Sequence, residues 1–191
     1  MHRILLVLTL LLAPLSAWAA KPAPLPADSV YHLQAPMTDQ SGKRHAWAQL
    51  RGKPRVVSMF YTSCAYMCPL IVDAGLNIDK ALTPAQRARI GIVLVSMDPA
   101  RDTPAAMLSV ASKRKLDPKR WMLLRPAPKD VRNVAGVLGI RYRLLADGEF
   151  NHTSELVLLD ADGRILARTD KIGSAQDPAF LAAVRKAAGK P

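Results

Sequence analysis

Val56-Val57-Ser58-Met59-Phe60-Tyr61-Thr62-Ser63-Cys64-Ala65-Tyr66-Met67-Cys68-Pro69 is the stretch whose reading decides the fold. The run from Val56 to Phe60 is apolar except for Ser58. It is too short for a helix and suits a strand buried on both faces. Leu70 to Leu82 then has helical spacing, with Ile71, Gly75, Ile78 and Leu82 on one side. Both cysteines of the chain stand between this strand and this helix. Loops at the carboxyl ends of parallel strands are where α/β folds gather their chemistry. Pro69 disfavours helical geometry at Cys68 and suits the first helical position, which predicts a loop over Cys64 to Cys68.

Outward from this segment the alternation repeats. Ile90 to Met97 reads as a second buried strand, and Thr103 with Pro104 as the cap and first turn of the next helix. Trp121 to Leu124 reads as a third strand and Lys129 to Leu138 as a helix ended by Gly139. On the N-terminal side, Val30 to Leu33 and Arg44 to Leu50 flank Asp39-Gln40-Ser41-Gly42, the signature of a hairpin. On the C-terminal side, Ser154 to Leu159 and Arg164 to Arg168 flank Asp160-Ala161-Asp162-Gly163. A last amphipathic helix covers Pro178 to Ala188. The order is hairpin, βαβαβα, hairpin, α, with no internal repeat. It predicts an α/β thioredoxin-like fold with an N-terminal β-hairpin and extra strand and helix insertions, in one domain over residues 29–191.

The first residues predict a compartment. Met1-His2-Arg3, the apolar run Ile4 to Ala13, Pro14 and Ala17-Trp18-Ala19 follow the order basic, apolar, small-x-small of a secretory signal. The run is shorter than the roughly 20 residues that span a bilayer. Cleavage near Ala19 and a periplasmic location are therefore expected, rather than a membrane anchor. Removing residues 1–19 leaves 172 of the 191 residues, with Pro22, Pro24 and Pro26 in a flexible leader over 20–28. The formal charge is +12, of which the signal carries only Arg3. An exported protein with scattered basic residues is not expected to bind nucleic acid. Its densest basic run, Lys113-Arg114-Lys115, reads as a solvated face or as an attraction to an anionic membrane surface or an acidic partner.

In an oxidising compartment two cysteines default to a structural disulfide. Closing a loop with only three intervening residues would stabilise little, however, because loop-closure entropy grows with length. A helix N-terminus also favours a thiolate. The pair is thus open to a redox-active role or to presenting two sulfurs to a metal. The two-residue spacing of general disulfide exchangers is absent. Three histidines follow the signal: His32, His45 and His152. The first two sit in the N-terminal hairpin. His152 precedes a strand expected to run antiparallel beside the cysteine strand, which puts it at the cysteine end of the sheet. By residue type alone a lone histidine is more often a surface or hydrogen-bonded residue than a ligand.

Phe60 to Pro69 resembles the cysteine motif of the Sco/SenC family. Val95-Ser96-Met97-Asp98-Pro99-Ala100-Arg101-Asp102-Thr103-Pro104 is similar to that family's second signature. Asn151-His152-Thr153-Ser154 with Leu158-Leu159-Asp160-Ala161-Asp162-Gly163 resembles its histidine segment. The three motifs come in family order and cover nearly the whole mature chain. The resemblance implies a thioredoxin-like fold in which Cys64, Cys68 and His152 bind one copper per chain. It also implies a role in assembling the dinuclear copper centre of cytochrome c oxidase or a related copper enzyme. The partner would be a copper acceptor such as the copper-bearing subunit of that oxidase. The chain departs from the pattern at Ala65, Tyr66 and Met67, where members often carry an acidic residue, and at Asn151, where an aspartate is common. Two thiolates select a soft ion such as Cu(I), an imidazole lets the site also hold Cu(II), and three ligands leave the ion transferable. Zinc would prefer a closed set of four. Three roles remain open from the sequence: copper chaperone, thiol–disulfide reductase acting through Cys64 and Cys68, and copper or redox sensor. Asp98, Arg101 and Asp102 follow the second strand at the same end of the sheet. Arg101 could support a thiolate or meet a partner, but the segment reads rather as a turn capping the next helix.

Overall fold

The computed structural model of the chain describes residues 23–173 and 176–189. The expected signal peptide and the first residues of the leader lie outside them. Strands β1 (Pro36–Asp39) and β2 (Arg44–Ala46) form the N-terminal hairpin. They are followed by β3 (Arg55–Phe60), α1 (Met67–Ala81), α2 (Pro84–Arg89), β4 (Gly91–Ser96), α3 (Pro104–Lys113), β5 (Trp121–Pro126) and α4 (Val131–Leu138). The chain then forms β6 (Tyr142–Leu144), β7 (Phe150–His152), β8 (Leu156–Leu159), β9 (Ile165–Thr169) and α5 (Pro178–Ala187). Seven strands make one sheet in the order β2-β1-β5-β4-β3-β8-β9, and β6 with β7 makes a separate two-stranded ribbon. The expected thioredoxin-like α/β plan is the observed one.

The centre of the sheet is parallel. β4 lies between β3 and β5, with β3 and β4 in register from Arg55 opposite Gly91 to Phe60 opposite Ser96. All twelve residues of β3 and β4 are buried, as continuous apolar runs between helices require. One glycine sets how closely α1 settles. A Cβ on Gly75 would stand 2.5 Å from the ring of Trp121, so only glycine lets the indole of β5 lie under the helix. The Trp121 N–H then donates to Asp79 Oδ2 at 3.0 Å, and Asp79 also pairs with Arg120.

The antiparallel pair β3–β8 fixes the geometry of the site. Arg55 lies opposite Leu159 and Val57 opposite Val157. Residues just ahead of Leu156 therefore stand at the Phe60 end of β3, the end that leads to the cysteines. No helix among the described residues is long and apolar enough to cross a membrane.

Local differences from the sequence reading have identifiable causes. Val30–His32 is a 3₁₀ turn rather than a strand, because the Ser29 side chain caps it by accepting from the Tyr31 N–H. The hairpin strand is instead Pro36–Asp39. Arg44 to Leu50 divides into β2 and a 3₁₀ turn over Trp47–Leu50, where the buried indole of Trp47 donates to Val30 O at 2.9 Å. Helix α2 is an addition, started by Thr83 and Gln86 as a reciprocal capping box with Pro84 at its first turn. The β6–β7 ribbon is a second addition, and it carries His152.

Candidate metal centre

Beyond Phe60 the chain leaves the sheet, and Tyr61 to Tyr66 form the loop that presents Cys64. Helix α1 begins at Met67, so Cys68 lies in its first turn and not in the loop. The proline effect is overridden because Pro69 needs no hydrogen bond of its own in a first turn. Both cysteines are free thiols; Cys64 is half-buried and Cys68 is buried. The Cys68 N–H donates to Cys64 Sγ at 3.3 Å, and the Tyr61 N–H donates to Cys68 Sγ at 3.4 Å. The helix N-terminus is thus aimed at Cys64.

The two sulfurs differ in acidity. Burial opposes ionisation of Cys64, but hydrogen bonds from Cys68, Tyr66 and Tyr61 outweigh it and hold the thiol below its usual range. Burial pushes the Cys68 thiol well above that range, and hydrogen bonding to Cys64 and the nearby charges of Cys64 and Asp102 push the same way. The pair consists of an accessible thiolate former and a protonated partner behind it.

Asp102 holds the loop. Its side chain is fully buried, and Oδ1 accepts from the Thr62 N–H at 2.8 Å and the Thr62 hydroxyl at 2.6 Å. Oδ2 accepts from the Ser96 hydroxyl at 2.5 Å, and Ser96 Oγ in turn accepts from the Asp98 N–H at 3.0 Å. Burial raises the Asp102 pKa, and the hydrogen bonds from Ser96 and Thr62 offset part of that rise. Thr103 caps α3 through the Ala106 N–H, as its position predicts. The segment from Asp98 to Thr103 therefore turns the chain and also fastens the cysteine loop.

His152 ends β7, opposite Tyr142 of β6, rather than standing in a linker before β8. Its Nδ1 lies 3.3 Å from the Thr153 carbonyl. A carbonyl can only accept, so Nδ1 carries the proton and Nε2 keeps its lone pair. Burial lowers the His152 pKa, and the Thr153 hydrogen bond offsets this only in part. The imidazole packs edge-on against Tyr61, with ring centres 6.1 Å apart. The ribbon is tied to the cysteine side at two points. The Tyr61 hydroxyl donates to Glu149 at 2.7 Å, and Arg101, paired with Asp98, donates to Gly148 O at 2.6 Å. Tyr61 and Glu149 as site residues were not legible in the sequence. The Asp147-Gly148 turn dipeptide was the one signal for the ribbon itself.

Cys64 and His152 line one cleft of about 440 Å³, together with Tyr61, Met67 and Glu149. Cys68 lines a neighbouring pocket of about 220 Å³, which Cys64 also borders and which Lys113 and Arg114 rim. Among the described residues, no three His, Cys, Asp or Glu side chains stand together closely enough to hold a metal. The three sequence-predicted ligands thus gather at one end of the sheet without meeting at a point. Their chemistry fits copper: two sulfurs and an imidazole nitrogen with a free lone pair. His32 and His45 lie elsewhere, on Pro26 O and Asp39 respectively.

The sequence model of the SCO1/SenC family matches residues 31–188. The chain belongs to the SCO1/SenC family. A protein of Stutzerimonas stutzeri, named for copper binding, is 23% identical over 136 residues, which span 69% of this chain and 65% of that protein. The structure is similar to a SCO1/SenC family lipoprotein from Bacillus anthracis, with a TM-score of 0.73, 21% identity, and 82% and 94% of the two chains covered. It is also similar to ScoI of Bradyrhizobium japonicum, solved with copper bound. There the TM-score is 0.62 and the identity 27%, over 81% of this chain and 96% of that one. This SCO1/SenC chain carries Cys64 and His152 on the two walls of one cleft, with Cys68 in the adjoining pocket.

Proposed function

We propose that this SCO1/SenC protein is an exported, periplasmic copper chaperone that holds one Cu(I) or Cu(II) through Cys64, Cys68 and His152. The observation that carries the reading is the shared cleft: the accessible Cys64 sulfur on one wall, and His152 with its free Nε2 on the other. Copper is the cargo. Binding at Cys64 and Cys68 requires loss of the thiol protons, and the helix N-terminus at Cys64 favours the first loss. Closing the site on His152 then draws the β6–β7 ribbon toward the sulfurs. The ScoI relative solved with copper supports this reading, as does the description of the Sco family as cytochrome c oxidase assembly proteins. The acceptor in this reading is the copper-bearing subunit of cytochrome c oxidase or of a related copper enzyme.

Titration of the reduced protein tests it, against a chromophoric Cu(I) competitor and, separately, with Cu(II) followed by absorption. Cys64→Ser and Cys68→Ser abolish tight Cu(I) binding, and His152→Ala weakens Cu(II) binding most. Copper spectra unchanged in His152→Ala would remove the histidine from the site.

One observation favours a second reading. A half-buried thiol of lowered pKa backed by a buried one of raised pKa is the arrangement of a dithiol reductant. Cys64 thiolate would attack an acceptor disulfide and release one thiolate. Cys68 would then attack the mixed disulfide, releasing the second and leaving a Cys64–Cys68 disulfide. The two readings separate in cells grown at low copper. A chaperone carrying His152→Ala fails to support the oxidase and is rescued by added copper, whereas a reductant carrying it works normally.

A further inference from the structure

Met67 is the other soft donor on the cleft shared by Cys64 and His152. It is the first residue of α1, sits three residues after Cys64, and is 38% exposed. Four of the other described methionines, Met37, Met59, Met97 and Met107, are at most 2% exposed and belong to the core. Cys68, the second expected ligand, does not line this cleft and is 5% exposed. An ion arriving by way of the larger cleft therefore meets Cys64, Met67 and His152 before it reaches the Cys68 sulfur.

The chemistry of these donors differs in one respect. Cys68 must lose a proton to bind. A thioether carries no proton and binds soft monovalent ions without releasing one. It has little affinity for Cu(II), for which the imidazole is the better partner.

We propose that Met67 Sδ is a ligand for Cu(I), joining Cys64 at the cleft by which the ion enters. This rests on the copper-binding reading and adds to it a soft ligand from the variable positions between the cysteines.

The test uses the whole reduced protein, with its methionines labelled in the methyl carbon, titrated with Ag(I) as a redox-silent soft ion. Met67→Leu assigns the resonance and keeps side-chain volume. The expected result is a shift of the Met67 methyl signal in the first additions, while the four core methionines stay in place. Met67→Leu binds Cu(I) about tenfold more weakly or captures it correspondingly more slowly, and its Cu(II) spectrum is unchanged. A Met67 methyl signal that stays fixed while the protein takes up one Ag(I) overturns the proposal and leaves the copper-site reading standing. A protein that takes up no Ag(I) and no Cu(I) at all overturns both.

Discussion

The two walls of the cleft are built differently. The sulfur wall grows out of the most buried strands of the sheet and is fastened from below by Asp102, which accepts three hydrogen bonds out of reach of water. The imidazole wall is a ribbon of two three-residue strands outside the main sheet, with Arg143, Leu144 and Asn151 exposed. An isolated two-stranded ribbon is marginally stable by itself. It keeps its place through Tyr61–Glu149, Arg101–Gly148 and the packing of Tyr61 on Phe150, with ring centres 5.1 Å apart. The difference teaches which wall is free to adjust: the sulfurs are held from below, whereas the histidine rides on the more lightly tied ribbon.

Breaking the rigid wall has the largest expected effect. Asp102→Ala leaves the Thr62 N–H and the Thr62 and Ser96 hydroxyls without their acceptor, at a cost of about 3 kcal/mol. Urea unfolding measures it, and a loss below about 1 kcal/mol would show that the carboxylate does not hold the loop. The same carboxyl carries a pH signature. Its pKa is raised in the folded state, so the folded state holds its proton more tightly than the unfolded chain. This contribution to stability is present below the unfolded value and fades as pH rises through the folded one. In Asp102→Asn that part of the pH dependence disappears.

Next in size is the contrast within the sulfur wall. Because Cys64 is held below the usual thiol range, alkylation by iodoacetamide sets in at a lower pH at Cys64 than in a cysteine peptide. Cys68 reacts only on unfolding. Mass mapping of single-label products checks the order, and equal labelling of the two at neutral pH would erase the distinction.

The smallest effect lies on the adjustable wall. Arg101→Ala and Tyr61→Phe each remove one tie to the ribbon and lower global stability by at most about 1 kcal/mol. Amide exchange over Phe150–His152 rises while exchange in β3 and β4 does not. If exchange instead rose uniformly, the ribbon would be part of the cooperative core and the comparison would fail.

The same division decides what the sequence could show. β3 and β4 are legible because a strand covered on both faces is apolar along most of its length, and α3 because Thr103 and Pro104 spell out its start. The sulfurs are legible because strand end, cysteines and helix start are adjacent in the chain. The ribbon is not, since three-residue strands with mostly half-buried or exposed residues carry no alternation to read. The role of Asp102 is hidden for another reason. Its bonds to Thr62 span 40 residues and arise only when β4 lies against β3. His152 is intermediate: its end of the sheet follows from the antiparallel β8, but its wall does not.

The clasp at Ser29 has a practical consequence for measuring any of this. Ser29 Oγ donates to Asp162 O at 2.5 Å and the Val30 N–H donates to Gly163 O at 3.0 Å. These bonds pin the start of the domain to the β8–β9 turn. That turn follows Leu159, which pairs with Arg55 at the foot of β3, while the cysteines follow Phe60 at its head. Six residues of strand put about 20 Å between the two poles. A sensor surface coupled just ahead of Ser29 therefore grips the protein by its far pole and leaves the mouth of the cleft facing the flowing solution.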